Sequence, residues 1–256
     1  MNQETFQIFL WVMSAVALVV FIALYFVKAG YGMFRTASWG ISINNKLAWV
    51  LMEAPVFIVM FGLWGKSGAG FAVPVYFFFL LFQLHYLQRA FIFPFLLIGN
   101  SRMPVAIMAM GIVFNLLNGM MQAGGLFYFA PEGLYADGWA YLLKPHALLG
   151  IILFFAGMFV NLHSDYVIRH LRRPGDTKHY LPGKGLYRYV TSANYFGELV
   201  EWTGFAILTA SPAAWVFVWW TFANLVPRAD AIHRRYREEF GDEAVGKRKR
   251  IIPFLY

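Results

Sequence analysis

Long apolar stretches alternate with short polar segments along the whole chain. A membrane-spanning helix needs about 20 mostly apolar residues, and seven stretches come close to or meet that length. They cover residues 5–28, 47–64, 71–97, 103–129, 141–162, 195–210 and 213–227. Asn115, Asn118 and Gln122 interrupt the fourth stretch, and Ser211-Pro212 leaves only a tight turn between the last two. The pattern predicts an all-α, polytopic membrane protein with seven transmembrane helices.

Composition supports lipid as the solvent of this protein. Of its 256 residues, 60% are hydrophobic and only 13% are charged, whereas a soluble domain carries about 25% charged residues. The net charge of +8 comes from basic residues between and after the apolar stretches, with no nucleic-acid recognition motif beside them, so nucleic acid is not an expected partner. The chain has no cysteine, which excludes disulfides, thiolate catalysis and zinc-thiolate sites.

The basic residues predict an orientation. With seven spans, the loops after the first, third and fifth spans and the C-terminal tail share one side of the membrane. That side holds Lys28, Arg35, Lys46, Arg102, Arg169, Arg172, Arg173, Lys178, Lys184, Arg188 and the run Lys247–Arg250. The other side has Lys66 and Lys144 against Glu4, Glu132 and Asp137. Because basic loops stay in the cytoplasm, we expect a cytoplasmic C-terminus in a bacterial inner membrane or an endoplasmic reticulum.

Ionisable side chains inside two spans are candidates for function, because they are costly in lipid and usually face a cavity. Glu53 lies about two turns inside the second span, where it is either an interfacial carboxylate or a protonated carboxyl that donates a hydrogen bond. Tyr86 and Arg89 are three residues apart in the third span and point in nearly the same direction. His85 is more typical of a structural hydrogen-bond donor. It has no second ligand at helical spacing, so no metal site is predicted.

The stretch from residue 161 to residue 206 contains two polar sets at helical spacing. The first set is Asn161, Asp165, Arg169 and Arg172, and the second is Asn194, Glu198, Glu201 and Trp202. A basic loop rich in proline and glycine joins them. The alternative interpretation, basic anchors at the lipid headgroups, suits Arg169 and Lys184 but not the acidic and amide side chains. The two faces therefore predict the walls of a pocket for a polar, anionic ligand.

Soluble-type nucleotide and hydrolase motifs are missing from the sequence. No G-x-G-x-x-G follows a strand, and neither a P-loop nor G-x-S-x-G occurs. The residues alone thus indicate an anionic-cofactor pocket beside an intramembrane site with a glutamate and a tyrosine. They leave the identity of the cofactor open.

Two long motifs resemble the steroid 5α-reductase family (3-oxo-5α-steroid 4-dehydrogenases). The first is N-x-H-S-D-Y-x-x-R-x-L-R-[KR]-P-G, and the second is G-x-L-x-x-Y-V-[ST]-x-A-N-[FY]-x-G-E-[IL]-x-E-W-x-G-[FY]-A. The second-span E-x-P, the third-span L-H-Y-x-x-R and the terminal I-P-F-[LI]-[FY] also fit. The resemblance covers residues 161–256 densely and the first half of the chain in patches.

This resemblance implies one seven-helix reductase domain over residues 1–256, with cofactor and substrate sites inside the bundle. Residues 1–130 would form the substrate side, and residues 141–256 the cofactor-binding helices, loops and tail. NADPH would lie among the helices. By motif position, its contacts would be Asn161, Asp165, Arg172, His179, Asn194, Glu198, Trp202, Arg228, His233, Tyr236, Arg102 and Tyr31. The family more often has tyrosine followed by lysine or arginine where this chain has His179 and Tyr180, and Lys184 replaces the first glycine of its Gly-Gly turn.

The resemblance also implies a chemistry for Glu53 and Tyr86, which match the family's pair that holds the 3-oxo oxygen of the substrate. In a Δ4-3-oxo steroid, hydride addition at C5 places negative charge on the C3 oxygen. Hydrogen bonds from the phenol and from a protonated carboxyl would stabilise that charge. The expected activity is therefore NADPH-dependent reduction of the Δ4 double bond, without a metal, a nucleic acid or an obligate protein partner.

Other functions remain open at this level. An enoyl reductase acting on another lipid or a polyprenol would share the reductase chemistry. A membrane methyltransferase that uses S-adenosylmethionine has similar arginine, histidine and glutamate patterns in its C-terminal helices but no need for Glu53 and Tyr86. A receptor or transporter of seven helices is a non-enzymatic alternative. It is disfavoured because the ionisable residues cluster toward one side and no paired broken-helix repeat is present.

Overall fold

A computed structural model describes residues 1–28, 30, 32–34, 36–172, 176 and 178–256. Tyr31, a predicted cofactor contact, lies outside the described residues. The described chain is mostly helical. Its helices are α1 (Gln3–Phe26), α2 (Asn45–Ser67), α3 (Val75–Leu87), α4 (Phe93–Leu96), α5 (Val105–Ala123), α6 (Trp139–Leu142), α7 (Pro145–Arg169), α8 (Ala193–Thr209), α9 (Pro212–Phe240) and α10 (Asp242–Val245).

Five helical segments in the described chain are long and apolar enough to cross a membrane. They are Gln3–Phe26, Asn45–Ser67, Val75–Leu96, Val105–Tyr128 and Pro145–Arg169. The sixth and seventh predicted spans coincide with α8, which has 17 residues, and with the first half of α9, whose second half is charged. The helical membrane architecture is therefore confirmed, while the count of seven spans stays a prediction.

Two helices extend well beyond their apolar stretches. α7 continues from residue 162 to Arg169, and α9 continues past Pro227 to Phe240 as one 29-residue helix. The polar motif residues therefore sit on the ends of membrane helices. Arg172 departs from the prediction, since α7 ends three residues before it and cannot carry it on the same face.

Glycines let α7 and α8 pack with their backbones in contact. Gly150 and Gly157 on α7 face Gly204 and Gly197 on α8. A Cβ atom at Gly157 would lie 2.2 Å from the backbone nitrogen of Glu201, and one at Gly197 would lie 2.4 Å from that of Asn161. Small residues that allow such close approach are typical of helix pairs in membranes. The glycines thus fix the spacing between the two motif-bearing helices.

The other helices pack mainly through side chains. Trp219 on α9 donates to the carbonyl of Ser14 on α1 (3.1 Å), and Asn115 on α5 donates to that of Met52 on α2 (2.7 Å). Short strands β1 (Ser42–Asn44) and β2 (Arg102–Pro104) pair antiparallel, with Ile43 opposite Met103. β1 directly precedes α2, and β2 directly precedes α5. In the described chain, this pair of strands differs from the all-α prediction.

Two π-helical turns interrupt the regular helices, at Gln88–Ile92 between α3 and α4 and at Gly124–Tyr128 after α5. The first contains Arg89. Such turns are rare and occur frequently at functional sites.

The C-terminal segment closes the fold against α8 and α9. The backbone nitrogens of Thr191 and Ser192, just before α8, donate to the carbonyls of Lys249 and Arg250. Arg250 also pairs with Asp230 on α9 at 2.6 Å. The tail therefore holds the entry to α8 in place against α9.

Candidate active site

Two amides on α5 bring Glu53 and Tyr86 into one polar layer. Asn115 donates to the Glu53 carboxylate (3.1 Å), and Asn118 donates to the Tyr86 hydroxyl (3.1 Å). Gln122, one turn further, donates to Asn118 and to the carbonyl of Ala213. Because these amides lie three and four residues apart, they share one face of α5. A phenol that accepts from Asn118 keeps its own proton available for donation to a ligand.

Helix α3 and its π turn connect this polar layer to the motif-bearing helices. His85 Nδ1 lies 2.8 Å from Glu201 on α8, and both side chains are buried. Arg89 donates to Asp165 on α7 at 3.4 Å. Residues of α3 and of the following π turn therefore face different neighbours: Tyr86 meets α5, His85 meets α8, and Arg89 reaches α7.

The predicted polar faces of α7 and α8 meet around Asn194. Its side-chain nitrogen donates to Asp165 (3.1 Å), its side-chain oxygen accepts from Tyr187 (3.3 Å), and its carbonyl accepts from Asn161 (3.0 Å). Both polar atoms of the Asn194 side chain therefore hold the wall of the site, and each keeps one further hydrogen-bonding position for a ligand. Glu198, one turn along α8, is half-buried and interacts electrostatically with Arg89 and the neighbouring charged groups.

Trp202 packs between the polar layer around Tyr86 and the meeting faces of α7 and α8. Its ring is 4.5 Å from that of His85 and 5.9 Å from that of Tyr86, and only 1% of the residue is exposed. The Nε1 of Trp202 is buried without a hydrogen-bond partner among the described residues, as is the second carboxylate oxygen of Glu201. Unpartnered buried polar atoms of this kind are uncommon in folded proteins.

A cationic cleft opens between α1 and α9. It has a cavity volume of about 70 Å³ and is lined by Lys28, Phe34 and Arg228, among others. Arg228 donates to the Tyr195 hydroxyl at 2.8 Å, and its guanidinium lies 5.7 Å from the centre of the Phe34 ring. Two cations beside an aromatic ring give this cleft the chemistry to hold a phosphate and a flat ring.

The second half of α9 also carries buried polar groups. His233 Nδ1 lies 3.3 Å from the Thr191 hydroxyl. Burial lowers the pKa of His233, so the imidazole favours its neutral form. Burial also raises the pKa of Tyr236 to about 12, aided by the neighbouring Tyr195. Both side chains are therefore uncharged at neutral pH, as donors or acceptors of hydrogen bonds.

Three other predicted cofactor contacts are less buried. His179 Nδ1 lies 3.0 Å from Glu239 of α9. Arg172 is exposed beyond α7 and interacts electrostatically with Tyr236. The Arg102 guanidinium binds the carbonyl of Ser42 across the β ladder, and none of its contacts in the described chain reaches another predicted cofactor residue.

The sequence pattern does not predict several residues that the structure brings into the candidate site. The sequence pattern indicates Asn115, Asn118 and Gln122 only as interruptions of a span, although amides at helical spacing inside an apolar stretch are a signal for a site. It indicates only a direction for Arg89, relative to Tyr86. Glu201 was seen on the same face as Glu198, but its contact with His85 joins residues 116 positions apart, which no local spacing indicates.

The side chains fit a nicotinamide dinucleotide. Arg228 and Lys28 offer positive charge for phosphates, while Asn194 and the buried unpartnered Nε1 of Trp202 offer polar groups for the remainder. A metal centre has no comparable support: the described residues contain no group of three histidine, aspartate or glutamate side chains arranged to hold a metal ion.

Comparisons with known proteins give a concordant result. The family model for 3-oxo-5-alpha-steroid 4-dehydrogenase matches residues 101–256. The bovine 3-oxo-5-alpha-steroid 4-dehydrogenase 1 is 36% identical over 247 residues, which cover 94% of this chain and 93% of the bovine protein. The steroid 5-alpha-reductase DET2 of Gossypium hirsutum is 36% identical over 260 residues (100% and 99%). The human 3-oxo-5-alpha-steroid 4-dehydrogenase 1 is 37% identical over 228 residues (88% and 86%).

The chain belongs to the 3-oxo-5-alpha-steroid 4-dehydrogenase family and is a membrane-integral enzyme of that family. The family resemblance predicted from the motifs is thereby confirmed.

Proposed function

We propose that this enzyme reduces the Δ4 double bond of 3-oxo-Δ4 steroids to 5α-3-oxo steroids with NADPH as the hydride donor. The observation that supports this most directly is the polar layer in which Asn115 and Asn118 bring Glu53 and Tyr86 together. The Arg89–Asp165 pair connects this layer to the cofactor side. A half-buried acid and a buried phenol beside the proposed cofactor pocket suit the reduction of a conjugated ketone.

Glu53 and Tyr86 would both contact the 3-oxo oxygen of the substrate. Asn118 donates to the Tyr86 oxygen, which orients the phenol and leaves its hydrogen free for the substrate. Asn115 holds one carboxylate oxygen of Glu53, which leaves the other free. As negative charge develops on the C3 oxygen, these two donors stabilise it without having to reorganise. Trp202 and Phe82 pack against Tyr86 and exclude water from it.

The cofactor would be held by the walls described above. NADPH supplies a hydride from its nicotinamide when bound. Asn161, Asp165, Asn194, Glu198 and Trp202 would bind its nicotinamide half. The cationic side of the pocket, for phosphate and adenine groups, would be formed by Arg172, His179, Arg228, His233, Tyr236, Arg102 and Tyr31.

The finer topology belongs to the same proposal. α8 and the first half of α9 would complete a seven-helix domain, with residues 1–130 on the substrate side and residues 141–256 on the cofactor side. The C-terminus would face the cytoplasm, because the basic loops and the tail share that side.

The test uses the purified full chain in detergent with NADPH and testosterone or progesterone. The expected product is two hydrogens heavier and has 5α stereochemistry by mass spectrometry against standards. Stabilisation by NADPH without conversion would keep the reductase and discard the steroid. Neither conversion nor stabilisation by NADPH would refute the proposal, and S-adenosylmethionine would be the next cofactor to try.

A further inference from the structure

A groove runs along the outside of the last turns of α7, away from the site described above. It lies between α7 and the 3-10 turn Gly185–Arg188 and has a volume of about 380 Å³. Its lining includes Phe159, Val160, His163, Ser164, Leu186 and Arg188. We call it the α7 groove.

The turn that forms one wall is held close to the helix. Gly185 has a φ of +60°, and a Cβ atom there would lie 2.5 Å from Cε1 of His163. Only glycine fits both the backbone angle and the contact. On the same turn, Tyr187 is buried and packs with Val167 of α7. The groove is therefore a built feature of the fold.

A buried polar atom lies in this groove. Ser164 is 1% exposed, and its hydroxyl has no hydrogen-bond partner among the described residues, although the residue lines the groove. A hydroxyl buried without a partner is costly. It is therefore available to a ligand that enters the groove.

The groove is polar and cationic toward one end and apolar toward the other. Arg188 is exposed and forms no salt bridge with an acidic residue of the described chain, and His163 also lines the groove. One turn deeper along α7, Phe159 is 69% exposed. This gradient matches a ligand with an anionic head and an apolar tail.

The groove also lies at the expected depth for such a ligand. α7 has 25 residues and is about 37 Å long, whereas the hydrocarbon core of a bilayer is about 30 Å thick, so the ends of α7 reach the headgroup regions. Beside the groove, Tyr189 contacts Phe254 at 5.1 Å, and Phe254 and Leu255 are largely exposed. Exposed aromatic and apolar side chains at a helix end are typical of a membrane interface.

We propose that the α7 groove binds an anionic phospholipid. Its phosphate accepts from Arg188, from His163 and from the hydroxyl of Ser164. One acyl chain lies on Val160 and Phe159. This site is separate from the reductase chemistry and does not depend on it.

The experiment measures binding of phosphatidylglycerol to the full chain by native mass spectrometry, with thermal unfolding as a second readout. Phosphatidylcholine of the same chain length and inorganic phosphate alone serve as comparison ligands. Phosphatidylglycerol is expected to bind and to raise the unfolding temperature more than either.

Three variants identify the site. Arg188→Gln should weaken phosphatidylglycerol binding about tenfold, the usual loss for one charge-assisted hydrogen bond. Val160→Trp should weaken it by filling the groove without changing charge. Lys184→Gln is the matched control, because Lys184 is exposed on the same loop but does not line the groove; it should bind as the parent does.

Three results would overturn the proposal. Arg188→Gln could bind phosphatidylglycerol as well as the parent. Lys184→Gln could lose as much binding as Arg188→Gln, which would indicate diffuse attraction to the basic surface. Inorganic phosphate could produce the full thermal shift by itself, which would make the lipid irrelevant. NADPH-dependent turnover in detergent is expected to be the same in Arg188→Gln and in the parent.

Discussion

Helices α7 and α8 approach each other backbone to backbone, whereas α2 and α5 are joined through side chains. Between α7 and α8, a Cβ atom at Gly157 or Gly204 would meet main-chain atoms at 2.2–2.4 Å. Between α2 and α5, a Cβ atom at Gly111 would meet the flexible side chain of Met52. Main-chain atoms cannot move to make room for an added group, whereas methionine and amide side chains can change their conformation. The difference suits a fixed cofactor on one side and an apolar substrate on the other.

The largest expected effect is on the glycine contact between α7 and α8. Gly157→Ala should prevent native packing and cost about 3 kcal/mol of folding free energy, because the added methyl collides with main chain. Gly111→Ala should cost less, since Met52 can move. Thermal unfolding of the detergent-solubilised variants measures both. Gly62→Ala is the control, because a Cβ atom there meets nothing within 4 Å. An equal loss of stability in all three variants would contradict the difference between the two helix pairs.

Tyr86→Phe should lower the turnover rate by about 10²–10³, the usual effect of removing one donor from a developing oxyanion. NADPH affinity should not change, because the phenol is proposed to contact the substrate and not the cofactor. Steady-state kinetics and a cofactor titration separate the two quantities. Tyr128→Phe, which removes a hydroxyl that donates to Leu63 at 2.8 Å, should keep full activity. Wild-type turnover in Tyr86→Phe would exclude the residue from the chemistry.

Arg172→Ala should weaken NADPH binding about 10- to 100-fold, the range for a lost hydrogen bond between charged groups. Arg169→Ala tests the alternative on the same helix end, because Arg169 is expected to act as a headgroup anchor. Its effect on the NADPH dissociation constant should be small. If both variants lose affinity equally, or neither does, Arg172 has no specific role in binding the cofactor.

Glu53→Gln should keep partial activity, about tenfold below the parent, because an amide can still donate a hydrogen bond. Glu53→Ala should lose as much as Tyr86→Phe. Turnover at saturating steroid and NADPH measures the difference. If Gln is as inactive as Ala, Glu53 contributes charge or a proton transfer, which a neutral donor cannot replace.

The smallest expected effect is on the pH dependence of stability without cofactor. Burial lowers the pKa of His233, whereas an unfolded histidine titrates near 6.5. Below about pH 6.5 the unfolded chain therefore takes up a proton that the folded state resists, and stability falls as the pH falls. The unfolding temperature should drop by about 2 °C between pH 7 and 5.5 from this residue. His233→Gln should flatten the slope, whereas the exposed-site variant His170→Gln should not.

The sequence predicted the contacts between α7 and α8 better than those around Glu53 and Tyr86. Asn161, Asp165 and Asn194 lie within two dense motifs on helices, where regular spacing determines which side chains share a face. Arg172 was misplaced only because the helix ends early. On the substrate side, the partners of Glu53 and Tyr86 come from α5, whose apolar composition hid Asn115 and Asn118 among span residues.

The sequence by itself determined the membrane setting, the helix positions and the family, because hydrophobic length and motif spacing are local properties of a chain. Only the tertiary structure decided that α3 and the π turn after it contact α5, α8 and α7. Tyr86 meets Asn118, His85 meets Glu201, and Arg89 reaches Asp165. The last two of those contacts join residues 116 and 76 positions apart. They depend on how closely glycines let α7 and α8 approach each other, which helical periodicity alone does not determine.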